Sequence, residues 1–177
     1  MRIIAGIYKG RKLIEFKGTD VRPTSDMARE SLFNILRGKV EDAVFLDAFS
    51  GTGAVGIEAL SRGAKKVYFN DLSKESIKII KQNLNKLGEI DNVEVSSGDG
   101  VALMERNQKA FDIIFLDPPY SLDIKKRAIS ASAIALKEGG IVVLEDEKFY
   151  EDETFGLTLF DKRKYGRVHF SMFKKEN

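Results

Sequence analysis

The repeated alternation of short apolar segments with amphipathic helical patterns is the feature that most constrains the fold of this chain. The apolar segments lie at residues 43–48, 66–70, 92–96, 111–117 and 140–145. Helical patterns fill the gaps at about 53–62, 73–87 and 123–137, with a shorter one at 100–108. Short apolar strands separated by helices predict βαβ units, and therefore a parallel sheet covered by helices on both faces.

The C-terminal end of the sequence breaks that alternation. Residues 155–160 and 168–173 both have strand character, and the seven residues between them are too few for a crossover helix. These two segments should therefore pair antiparallel. Five parallel strands and a terminal hairpin predict an α/β fold with a seven-stranded sheet whose last strand is antiparallel.

The N-terminal part of the sequence has a different character. Residues 1–20 alternate short apolar pieces with glycines, which favours a small β-hairpin. Thr24 or Ser25 can cap a helix over about 28–36, where apolar residues recur with helical spacing and Gly38 follows. No linker-like stretch comes after this helix, so the N-terminal part should belong to the same domain as the sheet.

Composition narrows the class of protein. The 177 residues are 43% apolar and 32% charged, which is typical of a globular domain. We expect one domain over residues 1–177, with 1–20 as a hairpin extension and 21–177 as the core. No apolar run approaches 18 residues, so no membrane span is expected, and the absence of a signal-peptide pattern predicts a cytoplasmic location. Cys is absent and there is one His, which disfavours disulfides, zinc sites and His-based triads.

The tetrapeptide Asp117-Pro118-Pro119-Tyr120 directly follows the apolar run 111–116. The acid can accept an N–H, and the prolines stiffen the turn and leave carbonyl groups free to accept another. The tyrosine offers a flat face for stacking. A strand that ends in this way is suited to holding a planar amine.

A glycine-rich loop follows the first core strand. Gly51-x-Gly53-x-x-Gly56 leads from that strand into a helix. Glycines allow a sharp turn and a close approach to a ligand, and a helix N-terminus favours a negative group. The motif is weak evidence alone, but its position between a strand and a helix strengthens it.

Acidic residues follow the next two strands. Asp71 ends the second strand 20 residues after Gly51, at the spacing of an acid that binds ribose hydroxyls. Asn70 could fill that role instead, and Asp71 could also cap the helix that begins near Ser73. Asp99 follows the third strand and is well placed to accept from an adenine amino group. With the tetrapeptide, these features indicate methyl transfer from S-adenosylmethionine to an amino nitrogen.

The ordered motifs resemble those of a class I S-adenosylmethionine-dependent methyltransferase with a Rossmann-like sheet. More narrowly, the chain resembles the bacterial 16S rRNA guanine-N2 methyltransferase family. The segments that carry the narrower resemblance are MRIIAG (1–6), GRKL (10–13), RPTSD (22–26), ARESLFNIL (28–36), EALSRGA (58–64) and DPPY (117–120). The resemblance covers nearly the whole chain, and its N-terminal block is more specific than the tetrapeptide.

The resemblance implies a set of site residues. Catalytic positions are Asp117, Pro118, Pro119 and Tyr120. Cofactor contacts are Arg22, Thr24, Asp47, Phe49, Ser50, Gly51, Thr52, Gly53, Asp71, Leu72, Asp99 and Gly100. The family often has a Glu directly after the second strand, where this chain has Asn70, and Asp71 is the expected substitute. The resemblance implies S-adenosylmethionine as cofactor, S-adenosylhomocysteine as product, and ribosomal RNA or a small ribosomal subunit particle as partner. The sulfonium is already a strong electrophile, so no metal is expected, and nothing in the sequence requires more than a monomer.

Charge is distributed unevenly along the chain. Residues 1–39 carry nine Lys and Arg against four Asp and Glu, residues 40–160 carry 14 against 21, and residues 161–177 carry six against two. Basic ends suggest an anionic partner. The residues expected to bind RNA phosphates are Arg2, Lys9, Arg11 and Lys12, with Lys17, Lys162, Arg163, Lys164 and Arg167 as further candidates. Residues 145–147 and 151–153 are interpreted as a solvated acidic loop that faces away from RNA.

Other functions share parts of this pattern. An adenine-N6 methyltransferase acting on DNA or RNA, or a methyltransferase acting on a protein amide, uses a similar tetrapeptide. A nicotinamide-dependent oxidoreductase shares the glycine loop but usually has a substrate domain. A non-catalytic RNA-binding module could retain the fold, although the intact tetrapeptide argues against it.

Overall fold

The computed structural model describes residues 1–17, 25–88, 90–119 and 121–176. Within these ranges the helices and strands follow one another in the order α1 (Asp26–Ile35), β1 (Val44–Asp47), α2 (Ala54–Ser61), β2 (Lys66–Asp71), α3 (Lys74–Leu87), β3 (Val93–Ser97), α4 (Gly100–Arg106), β4 (Phe111–Leu116), α5 (Leu122–Ala135), β5 (Leu136–Asp146), β6 (Leu157–Tyr165) and β7 (Val168–Lys175). The predicted strand–helix alternation is confirmed, including the short helix that follows β3.

The described strands form one seven-stranded sheet in the order β3-β2-β1-β4-β5-β7-β6. Strands β1 to β5 are parallel, whereas β7 is antiparallel to both of its neighbours, β5 and β6. The Rossmann-like seven-stranded fold with an antiparallel last strand is therefore confirmed. The hairpin folds back so that β7, rather than β6, joins the parallel part of the sheet.

The strand order reverses at β1, which lies between β2 and β4. In an open α/β sheet, a crevice opens at such a switch point, outside the carboxyl ends of the strands. Asp47 is the last residue of β1, and Asp117 directly follows the last residue of β4. The topology therefore brings the glycine loop and the tetrapeptide to the same end of the sheet.

Both faces of the sheet are buried by helices. On one face, residues of β1, β2 and β4 pack with α1 and α2; these buried residues include Phe45, Phe69, Phe115, Leu32, Phe33 and Ile57. On the other face, alternate residues of β1 and β4 pack with α4 and α5; these include Leu46, Ile114, Leu116, Met104 and Ile129. Burial on both sides explains why the strands are continuous apolar runs. It also makes the sheet a rigid support for the loops at the carboxyl ends of its strands.

Two element boundaries differ from the sequence expectation. β5 begins at Leu136, directly after α5, whereas the pattern predicted a helix to 137 and a strand from 140. Leu136 pairs with Phe111 across a register shift in β4, so backbone pairing extends the strand beyond its apolar stretch. β6 also extends to Tyr165, which leaves only two residues in the turn before β7.

Within the described part of the N-terminal segment, residues 1–17, the predicted hairpin is present in a short form, because residues 1–3 pair antiparallel with residues 10–13. A single antiparallel bridge joins Arg2 and Lys12. Gly6 has φ of +83° and lies so close to α2 that an added Cβ would be 1.8 Å from the Ser61 carbonyl oxygen. The Ile7 N–H also donates to that oxygen at 2.8 Å. The Ile3 N–H donates to the Arg11 carbonyl at 3.0 Å and the Leu13 N–H to the Met1 carbonyl at 3.2 Å, so the two arms pair with each other while the turn between them packs on the end of α2.

The N-terminal segment is fixed by a fully buried carboxylate, Glu58 of α2. Its two oxygens accept the N–H groups of Ile4 at 2.8 Å and Ala5 at 3.0 Å. Arg62 Nε donates to the same carboxylate at 2.8 Å, and the buried Arg29 Nε of α1 lies 3.8 Å from it. One side chain thus joins the N-terminal segment, α1 and α2.

Ser25 is the N-cap of α1, because its hydroxyl accepts the Ala28 N–H at 3.1 Å. The alternative cap, Thr24, lies outside the described residues. The predicted division into a 1–20 extension and a 21–177 core remains a prediction. In the part of the chain that the structure describes, no helix is long and apolar enough to cross a membrane.

Candidate active site

Asp47 holds the glycine loop to the helix that follows it. Its side chain is buried, and Oδ2 accepts the Gly56 N–H at 3.0 Å. The Ser50 hydroxyl donates to the Asp47 carbonyl at 2.7 Å. Burial raises the pKa of Asp47 to about 7; the Gly56 hydrogen bond opposes this rise, and the charges of Asp117 and Asp71 add to it. The carboxyl groups at this end of the sheet therefore act on one another.

The three glycines of the loop serve different structural purposes. At Gly51, φ is +53° and the nearest atom to an added Cβ would be on Phe16, 3.9 Å away. An added Cβ at Gly56 would lie 2.4 Å from the Phe69 ring, so that glycine allows α2 to pack on β2. Gly53, with φ of +79°, is the N-cap of α2 and makes no side-chain cap hydrogen bond. Gly51 is thus the position with open space beside its backbone.

Asp71 connects the first and second loops of the crevice. One oxygen accepts the Gly51 N–H and the other accepts the Ser73 N–H, both at 2.8 Å. Ser73 is itself the N-cap of α3. Each carboxylate oxygen can accept a further hydrogen bond, and Asp71 is half-buried. It therefore supports the loop and still presents acceptors at the crevice.

Asn70 is a structural residue that sequence reasoning did not recognise. Its side-chain amide is buried and donates to the Ala48 carbonyl at 3.2 Å and to the Gly98 carbonyl at 2.9 Å. Its oxygen accepts from the Ser96 hydroxyl at 2.9 Å. The side chain ties together the loops after β1 and β3. The available signal was a polar residue within an otherwise apolar strand.

The third loop brings α4 close to the first. Asp99 is the N-cap of α4 and accepts the Val101 N–H at 2.8 Å. An added Cβ at Gly100 would lie 2.6 Å from the Ala48 carbonyl oxygen and 3.3 Å from the Phe49 ring. Gly100 therefore allows this close approach.

The other predicted cofactor residues have varied exposure. Leu72 is 77% exposed, Phe49 is half-buried, and Thr52 is buried with its carbonyl accepting from Asn83 Nδ2 at 3.1 Å. Arg22 lies outside the described residues, as does Thr24. Among the predicted cofactor residues, Phe49, Asp71, Leu72 and Asp99 therefore have accessible side chains at the carboxyl ends of β1 to β3.

Next to this crevice lies a pocket of about 300 Å³ that contains Asp117. It opens between the start of α1, the ends of β4 and β5, and the turn between β6 and β7. Its lining residues are Ser25, Met27, Asp117, Glu145, Asp146, Glu147, Tyr165, Gly166, Arg167 and Val168. Within the tetrapeptide, Pro118 is buried and Pro119 is exposed, whereas Tyr120 lies outside the described residues.

The pKa of Asp117 is set by its surroundings. Asp117 is exposed on its pocket side, but most of its surroundings are protein atoms rather than water. This desolvation is the main cause that raises the pKa of its carboxyl group to about 7. The charge of Asp146 adds to the rise, and Lys125 opposes it. Lys125 and Asp146 form an ion pair with Nζ and Oδ2 2.5 Å apart. Near neutral pH, Asp117 is therefore divided between its ionised and protonated forms.

The expectation that residues 145–147 form a solvated acidic loop is wrong for two of the three. Glu145 and Asp146 are each 8% exposed, and they belong to β5 rather than to a loop. The sheet continues to Asp146 because β5 pairs with β7 up to His169. Long-range pairing thus carries two carboxylates into the wall of the pocket.

Two of the four N-terminal basic residues expected to bind RNA, Arg11 and Lys12, lie at the C-terminus of α3. Arg11 Nη1 donates to the carbonyls of Leu87 at 3.1 Å and Lys86 at 3.5 Å, at the C-terminus of α3. The Lys12 carbonyl accepts from Lys86 Nζ. Because α3 connects the parallel strands β2 and β3, its C-terminus lies at the amino ends of the strands, at the opposite end of the sheet from the crevice. The structure does not bring Arg11 and Lys12 together with Asp117. In the ranges described, no group of three or more His, Asp or Glu side chains could hold a metal ion.

Comparison with solved structures defines the class of protein. A structure described as a putative methyltransferase yhhF from Escherichia coli has a TM-score of 0.89, with 29% identity over 99% of this chain and 98% of that one. The sheet order, the crevice at its switch point and this likeness together define a Rossmann-like methyltransferase fold.

The chain belongs to the family described as conserved hypothetical protein 95, whose model matches residues 1–174. Ribosomal RNA small subunit methyltransferase D of Haemophilus influenzae is 39% identical over 84% of this chain and 79% of its own length. The putative rRNA methyltransferase YlbH of Bacillus subtilis is 35% identical over 99% of both chains. These relationships confirm the family resemblance seen in the sequence, and they favour methyl transfer over the nicotinamide-dependent alternative.

Proposed function

We propose that this protein transfers a methyl group from S-adenosylmethionine to the exocyclic N2 amine of a guanine in small-subunit (16S) ribosomal RNA. The observation that carries the proposal is the pocket containing Asp117, which adjoins the crevice at the switch point of the sheet. The relatives named as small-subunit rRNA methyltransferases support the class of substrate.

The residues of the crevice fit the proposed cofactor. When bound, S-adenosylmethionine supplies an electrophilic methyl group on a positively charged sulfur, and S-adenosylhomocysteine is the product. Gly51 leaves open space beside its backbone. Asp71 and Asp99 offer acceptors for ribose hydroxyls and for an adenine amino group. The charges of Asp117 and Asp71 both act on the buried Asp47, and such a group of carboxylates favours a cationic ligand.

Asp117 and Pro118 would orient the amine. The lone pair of a guanine amine is delocalised into the ring, so the nitrogen must be held with that lone pair directed at the methyl group. The ionised Asp117 carboxylate accepts one N–H, and the Pro118 carbonyl accepts the other. Positive charge develops on the nitrogen during transfer, so both hydrogen bonds strengthen in the transition state. With a pKa of about 7, Asp117 is also suited to accept the proton that the nitrogen then releases.

Guanine fits the chemistry of this pocket better than adenine. The Watson–Crick edge of guanine presents two adjacent donors, N1–H and the N2 amine. Adenine presents its amine beside N1, an acceptor that a carboxylate would repel. Glu145 lines the same pocket as Asp117, so two carboxylates can receive adjacent donors. This supports N2 of guanine over N6 of adenine.

We further propose that a monomer acts in the cytoplasm on an unpaired or flipped-out nucleotide of ribosomal RNA or of the small ribosomal subunit particle. A base within a duplex cannot reach a pocket of this kind, so the target must leave its stack.

The test is transfer of labelled methyl from S-adenosylmethionine to full-length small-subunit rRNA and to its particle, followed by nucleoside mass analysis. N2-methylguanosine is the expected product, and Asp117→Asn should reduce its formation at least a hundredfold while cofactor binding persists. N6-methyladenosine would overturn the choice of base, and label found only in protein would overturn the choice of RNA.

A further inference from the structure

The turn between β6 and β7 forms one wall of the pocket that contains Asp117. Four consecutive residues, Tyr165, Gly166, Arg167 and Val168, line that pocket. The turn is tight, because only Gly166 and Arg167 separate the paired residues Tyr165 and Val168. An antiparallel pair held by β5 on one side gives this wall a fixed position relative to Asp117.

This hairpin is strongly basic on its accessible surface. Lys162, Arg163, Lys164 and Arg167 are all exposed. Arg163 pairs with Asp161 at 3.1 Å, and Lys162 Nζ lies 5.3 Å from the centre of the Phe149 ring. Arg167 lines the pocket, whereas Lys164 pairs with His169 in the strands next to the turn, one residue beyond the lining set.

The inner wall of the same pocket is acidic. Glu145 and Asp146 are buried there, Asp146 in an ion pair with Lys125, and Asp117 lies beside them. Carboxylates repel a phosphate and accept the N–H groups of a base, whereas exposed guanidinium and ammonium groups do the reverse. The pocket is therefore polarised: a nucleotide would enter with its base inward and its phosphates at the rim.

We propose that the tip of the β6–β7 hairpin is an RNA-docking element, in which Arg167 and Lys164 bind the phosphates that flank the target nucleotide. The proposal rests on the proposed function for the identity of the base in the pocket. It assigns docking at the pocket to this hairpin and not to Arg11, which donates to carbonyl groups at the C-terminus of α3, at the opposite end of the sheet.

The test compares wild type with the double variant Arg167→Gln, Lys164→Gln in binding to full-length small-subunit rRNA across a range of KCl concentrations. Each lost contact with a single-stranded phosphate should reduce the slope of log K against log salt by about 0.7. The double variant should therefore lose about 1.4 from the slope and bind roughly tenfold more weakly near 150 mM KCl. Its affinity for S-adenosylmethionine should be unchanged, which shows that the fold is intact.

A matched control is Arg37→Gln, Lys39→Gln. It also removes one arginine and one lysine charge, from exposed residues between α1 and β1. These residues precede the amino end of β1, at the opposite end of the sheet from the pocket. Its slope and affinity should equal those of wild type. An unchanged slope in the hairpin variant, or an equal loss in the control, would overturn the proposal.

The same preparations separate this proposal from the proposed function. If the hairpin variant has a smaller salt slope for RNA binding than wild type, but wild type forms no N2-methylguanosine, the proposed function is wrong and the docking surface is supported. N2-methylguanosine formed equally well by the hairpin variant and wild type at limiting RNA would overturn the docking surface alone. Wild type that does not bind RNA at all would overturn both.

Discussion

Lys125 and Asp146 form a nearly buried ion pair behind Asp117, with 2.5 Å between Nζ and Oδ2. After burial itself, Asp146 is the main cause that raises the pKa of Asp117, and Lys125 opposes it. The balance between these two residues therefore helps to set the pH at which Asp117 becomes an ionised acceptor. Neither residue was recognised from the sequence.

Replacement of Lys125 by Met should shift the pH dependence of methyl transfer. Loss of the cation raises the pKa of Asp117 further, so the acid limb of the kcat/KM profile should move to higher pH. Asp146→Asn should move it to lower pH. Measurement of kcat/KM from pH 5 to pH 9 checks both directions. Lys126→Met is the control, because Lys126 is more exposed and pairs with Asp152; its profile should match wild type.

Asp47 should make the protein less stable as the pH rises. Its pKa is raised from the ordinary 3.8 to about 7 in the folded state, so the folded state binds this proton more tightly than the unfolded state. The stabilisation is fully present below about pH 4 and is lost as the pH approaches 7. The difference in free energy of unfolding between Asp47→Asn and wild type should therefore change with pH. It should increase in favour of the variant by roughly 3–5 kcal/mol from pH 4 to pH 8. Urea unfolding at several pH values measures this, and a constant difference would contradict it.

Gly51→Ala should weaken cofactor binding more than it weakens the fold. The added methyl group enters the open space beside the loop, so the Kd for S-adenosylmethionine should rise at least tenfold. Gly38→Ala is a matched control, because Gly38 also has positive φ, +76°, and no atom within 4 Å of an added Cβ. Both variants should lose about 1 kcal/mol of stability. Calorimetric titration should show weaker binding for Gly51→Ala alone.

Glu145→Gln should impair recognition of the guanine edge. A neutral amide can present a donor where the base also presents one, and a good base contact contributes about 1–3 kcal/mol of discrimination. We expect kcat/KM for RNA to fall by roughly ten- to hundredfold with an unchanged Kd for the cofactor. Glu151→Gln, an exposed residue outside the pocket, should behave as wild type. Full activity of Glu145→Gln would show that Asp117 alone reads the base.

Glu58→Ala should destabilise the fold through the N-terminal segment. The change leaves two backbone N–H groups and the buried Arg29 without this carboxylate. Removal of one partner from a buried ion pair costs about 3–5 kcal/mol. Thermal or urea unfolding should reveal a loss of this size, whereas Glu30→Ala on the exposed face of α1 should change stability by less than about 0.5 kcal/mol. A small loss for Glu58→Ala would mean that the segment is held mainly by apolar contacts.

Much of the architecture could be predicted because it depends on local patterns. The apolar runs of β1 to β4 and the helical spacing between them are readable in short windows, and parallel strands with helical crossovers follow from them. The seven residues between the last two strands were enough to predict an antiparallel pair. The glycine loop and the acids after each strand could be placed at one end of the sheet for the same reason.

The N-terminal segment and β5 could not be predicted in detail because distant residues decide them. The Ile7 and Tyr8 N–H groups donate to Ser61, 54 and 53 residues away, so the position of the hairpin against α2 depends on a distant partner. β5 is longer than its apolar stretch because β4 and β7 supply pairing partners at both ends. A pattern within one segment contains no information about such partners.

The sequence by itself determined the class of fold, the position of the glycine loop at the end of β1 and the position of Asp117 at the end of β4, because periodicity and motif order are properties of neighbouring residues. Only the tertiary structure decided that Glu145 and Asp146 line the pocket and that the hairpin places Arg167 at its rim. It also decided that Asn70 and Arg11 support the fold. The side chains that make the pocket come from segments far apart in the chain, and only packing and strand pairing bring them together.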